Sequence, residues 1–151
     1  MSMNVPFSTT LEVRDTCLCL HAQRAARALA RYFDDALRPF GLTNGQFSLL
    51  MALNRPEPPS IAPVAQLLAM DRTTLTAALK PLQKKALIEI IPDAADRRSR
   101  LLLLTPKGSA LLAEAVLVWR QTHAELENNL LNGNGDFLRS MLLSLGNITP
   151  A

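Results

Sequence analysis

The chain has 151 residues, 48% hydrophobic, 19% charged and 5% aromatic, with 16 basic against 13 acidic side chains for a net charge of +3. That apolar content excludes a disordered chain, and a chain of this size buries roughly 70% of its unfolded surface, so one domain stands without metal or disulfide support. No apolar run approaches the roughly 18 residues of a membrane span, and residues 1–10 show neither the basic nor the apolar region of a secretory leader, so a cytoplasmic protein with no membrane partner is expected.

In chain order, residues 11–38 read as one long amphipathic helix, rich in Ala, Leu and Arg and stopped by Pro39 and Gly41. Arg24, Arg27, Arg31 and Arg38 share one face; Cys17, Leu20, Ala28 and Phe33 lie nearer another. A helix this long outreaches the core of a small domain, so part of its apolar face is expected to meet another subunit. Cys17 and Cys19, two residues apart on a helix, diverge by about 200° and cannot form a disulfide.

Thr43 and Gln46 make a capping-box pattern that starts a second helix over residues 44–53, broken by the proline cluster at Pro56, Pro58 and Pro59. Ser60 is a candidate N-cap for a third helix, 61–69, and Asp71 for a fourth, 72–86. Leu75, Ala78, Leu79 and Leu82 give the fourth helix an apolar face; Arg72, Thr73, Thr76, Lys80 and Lys84 face outward, and Pro81 lies inside it. Two β-rich runs, 87–91 and 100–104, flank a polar, arginine-rich stretch and read as a hairpin. Thr105 and Pro106 open a helix that runs to about residue 131, and after the turn cluster at residues 132–135, Asp136 caps a short apolar helix, 137–145.

The fold class is therefore mainly α with a small β-hairpin. Two short helices joined by a tight turn, with hydroxyl and basic residues outside the second, describe a helix-turn-helix, and the hairpin that follows makes it a winged one. Residues 71–108 hold eight basic and four acidic groups, a surplus of +4, while the remainder of the chain sums to −1. Arg72, Thr73, Thr74, Thr76 and Lys80 on the fourth helix suit a major groove, and Arg97, Arg98 and Arg100 at the hairpin tip suit an adjoining minor groove or its phosphates. Double-stranded DNA is the expected partner.

These residues resemble the MarR (multiple-antibiotic-resistance regulator) transcription factors. The likeness spans residues 11–131 and rests on Leu42-Thr43-x-x-Gln46-Phe47, on Asp96-Arg97-Arg98 at the wing, and on Leu104-Thr105-Pro106-Lys107-Gly108. The resemblance implies a homodimer that binds a pseudo-palindromic operator, most simply a ligand-released repressor. Residues 43–105 would form the DNA-binding domain and residues 1–42 with 106–151 the dimerisation region. It also implies that Arg98 enters the groove, oriented by an ion pair with Asp96, and that a small lipophilic or aromatic acid binds between the dimer helices and the DNA-binding lobe. Candidate lining residues are Phe33, Phe47, Leu50 and Trp119, with His21 or Arg24 to hold a carboxylate. Ala86 departs from the family pattern, which has a helix-ending Gly there.

Two other readings compete: a regulator of the same fold that senses peroxides through Cys17, and a helical module that binds proteins rather than DNA. The one tyrosine, Tyr32, lies about 20 Å along the helix from Cys17, too far to activate it within one chain. His21 and His123 have no cluster of ligands at metal-binding spacing, and no phosphate loop, nucleophile elbow or carboxylate pair is present. No metal, cofactor or enzymatic activity is expected.

Overall fold

A computed structural model of the chain describes residues 4–148; the outermost three residues at each end of the expected dimerisation region lie outside the described residues. The elements are α1 (Phe7–Thr16), α2 (Leu18–Leu37), a 3-10 turn (Arg38–Phe40), α3 (Asn44–Leu53), α4 (Ile61–Leu67), α5 (Arg72–Lys84), β1 (Ile88–Pro92), β2 (Arg100–Leu104), α6 (Pro106–Asn128), a second 3-10 turn (Leu131–Gly133) and α7 (Gly135–Gly146). No helix among them is long and apolar enough to cross a membrane.

The expected single helix over residues 11–38 is two helices. Cys17 leaves the helical region at φ −69°, ψ 110°, and its Sγ accepts the backbone N–H of Leu20 at 3.4 Å, so it caps α2. Just before it, the Thr16 hydroxyl donates to the Glu12 carbonyl at 2.7 Å. Local side-chain bonds of this kind compete with helix propagation, and they end α1 where periodicity alone runs on. Both cysteines are free.

α3 starts as its capping box dictates: the Thr43 hydroxyl accepts the Gln46 N–H and the Gln46 carboxamide accepts the Thr43 N–H, both at 3.2 Å. Asp34 ties α2 to this start by accepting the Asn44 backbone N–H at 2.6 Å and its side-chain amide at 2.8 Å. Those bonds, the backbone one first, hold the Asp34 carboxyl below the usual carboxylate range. Ser60 precedes α4 but makes no side-chain cap; its backbone instead bridges Leu101, and Leu102 donates to the Pro59 carbonyl at 2.9 Å. α4 stops at Leu67, two residues early, because Ala69 turns left-handed (φ 51°) and Met70 donates back to Ala65 at 2.9 Å.

Pro81 is accommodated inside α5, which continues to Lys84. The helix then turns into the wing through Ala86 at φ 58°, with Leu87 donating to the Leu82 carbonyl at 3.0 Å. Ala86 thus holds the left-handed backbone that glycine adopts at low cost. Ala86→Gly is expected to raise stability by about 1 kcal/mol, read as a higher midpoint in denaturant with an unchanged slope; an unchanged or lower midpoint would contradict it.

The antiparallel pair β1–β2 runs from Ile88 opposite Leu104 to Pro92 opposite Arg100. One core, with Leu37, Leu50, Leu75, Leu79, Leu82, Ile88, Leu102 and Leu112 buried in it, joins α2, α3, α5, the wing and α6. α7 begins at Asn134, whose Oδ1 accepts the Phe137 N–H at 2.9 Å. The expected cap, Asp136, instead lies inside the first turn and pairs with Arg139 at 2.6 Å. Neither α1 nor α7 packs extensively on the rest of the chain, and the only buried residue on either is Gly135.

Candidate nucleic-acid interface

At the start of α5, one oxygen of Asp71 accepts the Thr74 N–H and the other accepts the Thr74 hydroxyl proton, both at 2.7 Å. These two bonds, the side-chain one first, hold the Asp71 carboxyl below the usual range. The Thr76 hydroxyl donates to the Arg72 carbonyl at 2.7 Å. The Thr73 hydroxyl has no partner among the described residues, so the three threonines of α5 stand in different states. At about 100° per residue, Thr73, Ala77, Lys80 and Lys84 form the stripe opposite the buried Leu75, Leu79 and Leu82, and all four are exposed. Thr76 lies on one flank with Arg72, and Thr74 on the other. Ala77, at the centre of the stripe, was not anticipated from residue chemistry; its spacing from the core leucines is the signal that finds it.

The wing is shaped by two aspartates. Asp93 accepts the Ala95 N–H and Asp96 accepts the Arg98 N–H, each at 2.9 Å, while Ser99 donates to the Asp96 carbonyl at 3.0 Å. Asp96 therefore orients Arg98 through its backbone and not through the expected ion pair. No carboxylate pairs with Arg72, Arg97, Arg98 or Arg100 among the described residues. Arg72, Arg98 and Arg100 meet Ser60, Asp96 and Ser99 around a cleft of about 320 Å³ that joins the starts of α4 and α5 to the wing. Unpaired cations beside an exposed helix stripe are what a polyanion requires.

The expected ligand residues divide. Phe47 stacks on Trp119 at 6.1 Å, Trp119 on His123 at 5.0 Å, and Phe33 lies 6.3 Å from His123, so rings from α2, α3 and α6 form one cluster with His123 at its centre. Leu50 is fully buried and offers no surface. His21 and Arg24 lie roughly 14–18 Å along α2 from Phe33 and do not reach these rings within the chain. A crevice of about 390 Å³ opens between α3 and α6, where Arg120 stands near Met51, Asn54, Val116 and Leu117; none of the four rings lines it. Among the described residues no group of three potential ligands gathers for a metal ion.

A family model described as MarR family matches residues 40–99. The HTH-type transcriptional repressor NicR of Pseudomonas putida is 33% identical over 131 residues, 85% of this chain and 78% of that protein. The transcriptional regulator MosR of M. tuberculosis, solved in complex with DNA, superposes with a TM-score of 0.80 at 36% identity, covering 87% of this chain and 94% of that one. BpsR of Bordetella bronchiseptica, a structure concerned with regulation of its DNA binding by 6-hydroxynicotinic acid, has a TM-score of 0.77 at 26% identity, covering 87% and 94%.

Proposed function

The chain belongs to the MarR family and is a DNA-binding transcriptional regulator, and we propose that it acts as a homodimeric repressor that leaves a pseudo-palindromic operator when a small aromatic or lipophilic acid binds. The observation that carries this reading is the convergence of the exposed α5 stripe with the unpaired Arg72, Arg98 and Arg100 on one surface. Residues 43–105 serve as the DNA-binding domain, with residues 1–42 and 106–151 joining the two copies.

In this mechanism the two α5 helices enter successive major grooves about 34–36 Å apart, while Arg98 and Arg97 of each wing reach the flanking minor groove or its phosphates. Binding falls steeply with salt, because each phosphate contact releases counterions. NicR is named a repressor, and the BpsR structure is described in terms of a small aromatic acid; both support the sense of regulation. The Phe33–His123–Trp119–Phe47 cluster offers ring stacking and the Arg120 crevice between α3 and α6 offers a cation for a carboxylate. A ligand there releases DNA only if it favours a spacing of the two α5 helices that the operator does not accept. The peroxide-sensing reading is not favoured: the Cys17 thiol caps α2, and the BpsR structure is one concerned with regulation by a small molecule.

Selection of bound duplexes from a random library tests this reading. A palindrome is the expected product, and failure to enrich any duplex would favour a protein-binding module. On the selected operator, Arg98→Ala is expected to weaken affinity about tenfold, the loss of a charge-assisted contact; unchanged affinity would remove the wing from the mechanism.

A further inference from the structure

The α5 stripe is poor in hydrogen-bond donors where it should be richest. Its central position is Ala77, a lone methyl, and its lysines, Lys80 and Lys84, lie toward the helix C-terminus. Of the three threonines, Thr74 gives its hydroxyl proton to Asp71 and Thr76 gives its own to Arg72. A threonine whose proton is spent inside the protein presents a methyl group and oxygen lone pairs but cannot donate to a guanine or adenine N7.

We propose that this helix reads its central base pairs through methyl groups, with Ala77 and Thr76 against the C5-methyls of thymine, and that Thr73 is the one threonine whose hydroxyl donates to DNA. Thr74 is a positioning residue: its doubly bonded link to Asp71 fixes the first turn and so the direction of the Thr73 side chain. The short side chain of Ala77 lets the helix axis approach closely enough for a methyl-to-methyl contact that a longer residue would prevent. Specificity then comes from shape and apolar contact at the centre, with the lysines and wing arginines supplying sequence-independent affinity.

The proposal rests on the DNA-binding reading above, and its test separates the two. Full-length protein is titrated with its selected operator, in which thymines are replaced by deoxyuridine one symmetric pair at a time. The substitution removes the C5-methyl and leaves every hydrogen-bonding group in place. At one or two positions in each half-site affinity is expected to fall about fourfold per half-site, the factor that one buried methyl implies, and Ala77→Gly should make thymine and uracil operators equal at one of them. Thr76→Ser, which removes the methyl, should make thymine and uracil operators equal at the other, while Thr73→Val should lose about fivefold per half-site on both. Operator affinity indifferent to uracil at every position, or a thymine preference that survives in full in both Ala77→Gly and Thr76→Ser, would overturn methyl reading while leaving DNA binding intact. Failure to enrich any duplex would overturn both.

Discussion

Gly108→Ala is expected to cost about 3 kcal/mol or more of stability, the range of an overpacked core site with no room to relax. Gly108 lies in the first turn of α6 and is buried; a Cβ there would overlap the Leu87 carbonyl oxygen and lie 3.0 Å from the Leu87 carbonyl carbon and 3.3 Å from its Cα. The obstacle is backbone held from several sides. The Leu87 carbonyl accepts the Thr105 N–H at 3.1 Å, the Leu87 N–H donates to Leu82 at 3.0 Å, and the Thr105 hydroxyl accepts the Gly108 N–H at 3.0 Å while donating to Ala86 at 2.7 Å. Moving Leu87 would drag the end of α5 and the root of the wing with it. A fall in melting temperature of about 6–12 °C is expected, with weakened operator binding because the wing loses its angle to α5. Gly135→Ala is the internal control, since the atoms its Cβ would meet are the ends of the Glu127 and Arg139 side chains, which can swing away. Equal melting temperatures for the two variants would show that the junction is softer than its bonds suggest.

The contrast marks what the sequence makes legible. Features written in a few consecutive residues read correctly: the Thr43–Gln46 box, the Thr105 cap, the Asp71 cap, and the hairpin with its arginine tip. The break at Cys17 was hidden because cysteine is an uncommon cap and the apolar period continues across it. Asn134 and Asp136 are both good caps two residues apart; the choice falls to Asn134 because Arg139 claims Asp136. Trp119 and His123 stack four residues apart on one helix, but Phe33 and Phe47 reach them only through the packing of α2 and α3 on α6, which no local pattern carries. Likewise, all three threonines of α5 look alike as letters, and only hydrogen-bond geometry shows which hydroxyl is free.

Charge pairing divides the molecule along the same line. Toward the α7 end, Arg139 is held by Glu127 and Asp136 and His123 lies 4.0 Å from Glu127, whereas the wing arginines form no ion pair among the described residues. Exposed pairs contribute little stability, so this arrangement is better read as orientation than as energy. At one end, Arg139 of α7 pairs with Glu127 of α6. At the other, cations are left for a polyanion.

α7 carries the last expected result: Met141→Asp combined with Leu142→Asp should convert the protein to monomers and lower operator affinity about a hundredfold or more, the effective-concentration advantage lost when two half-sites are no longer linked. Leu138, Met141, Leu142 and Leu145 recur at i, i+3, i+4 and i+7 on one face of α7, each 40–50% exposed, and Phe7 and Leu18 at the other end of the chain are 72% and 69% exposed. An apolar surface of this extent, spread over α7, α1 and the start of α2, with α1 and α7 packed only sparsely on their own chain, calls for burial against another surface, and a second copy presents the same helices. Because neither residue belongs to the core, the variant should keep its helical signal and cooperative unfolding. Sedimentation velocity and operator titration on the same samples decide the matter. A dimer that persists with full affinity would place the subunit contact elsewhere, while a monomer that still binds the full operator as tightly as the parent would mean that each winged lobe finds its half-site alone, and that the reach between the two α5 helices is not what a ligand would control.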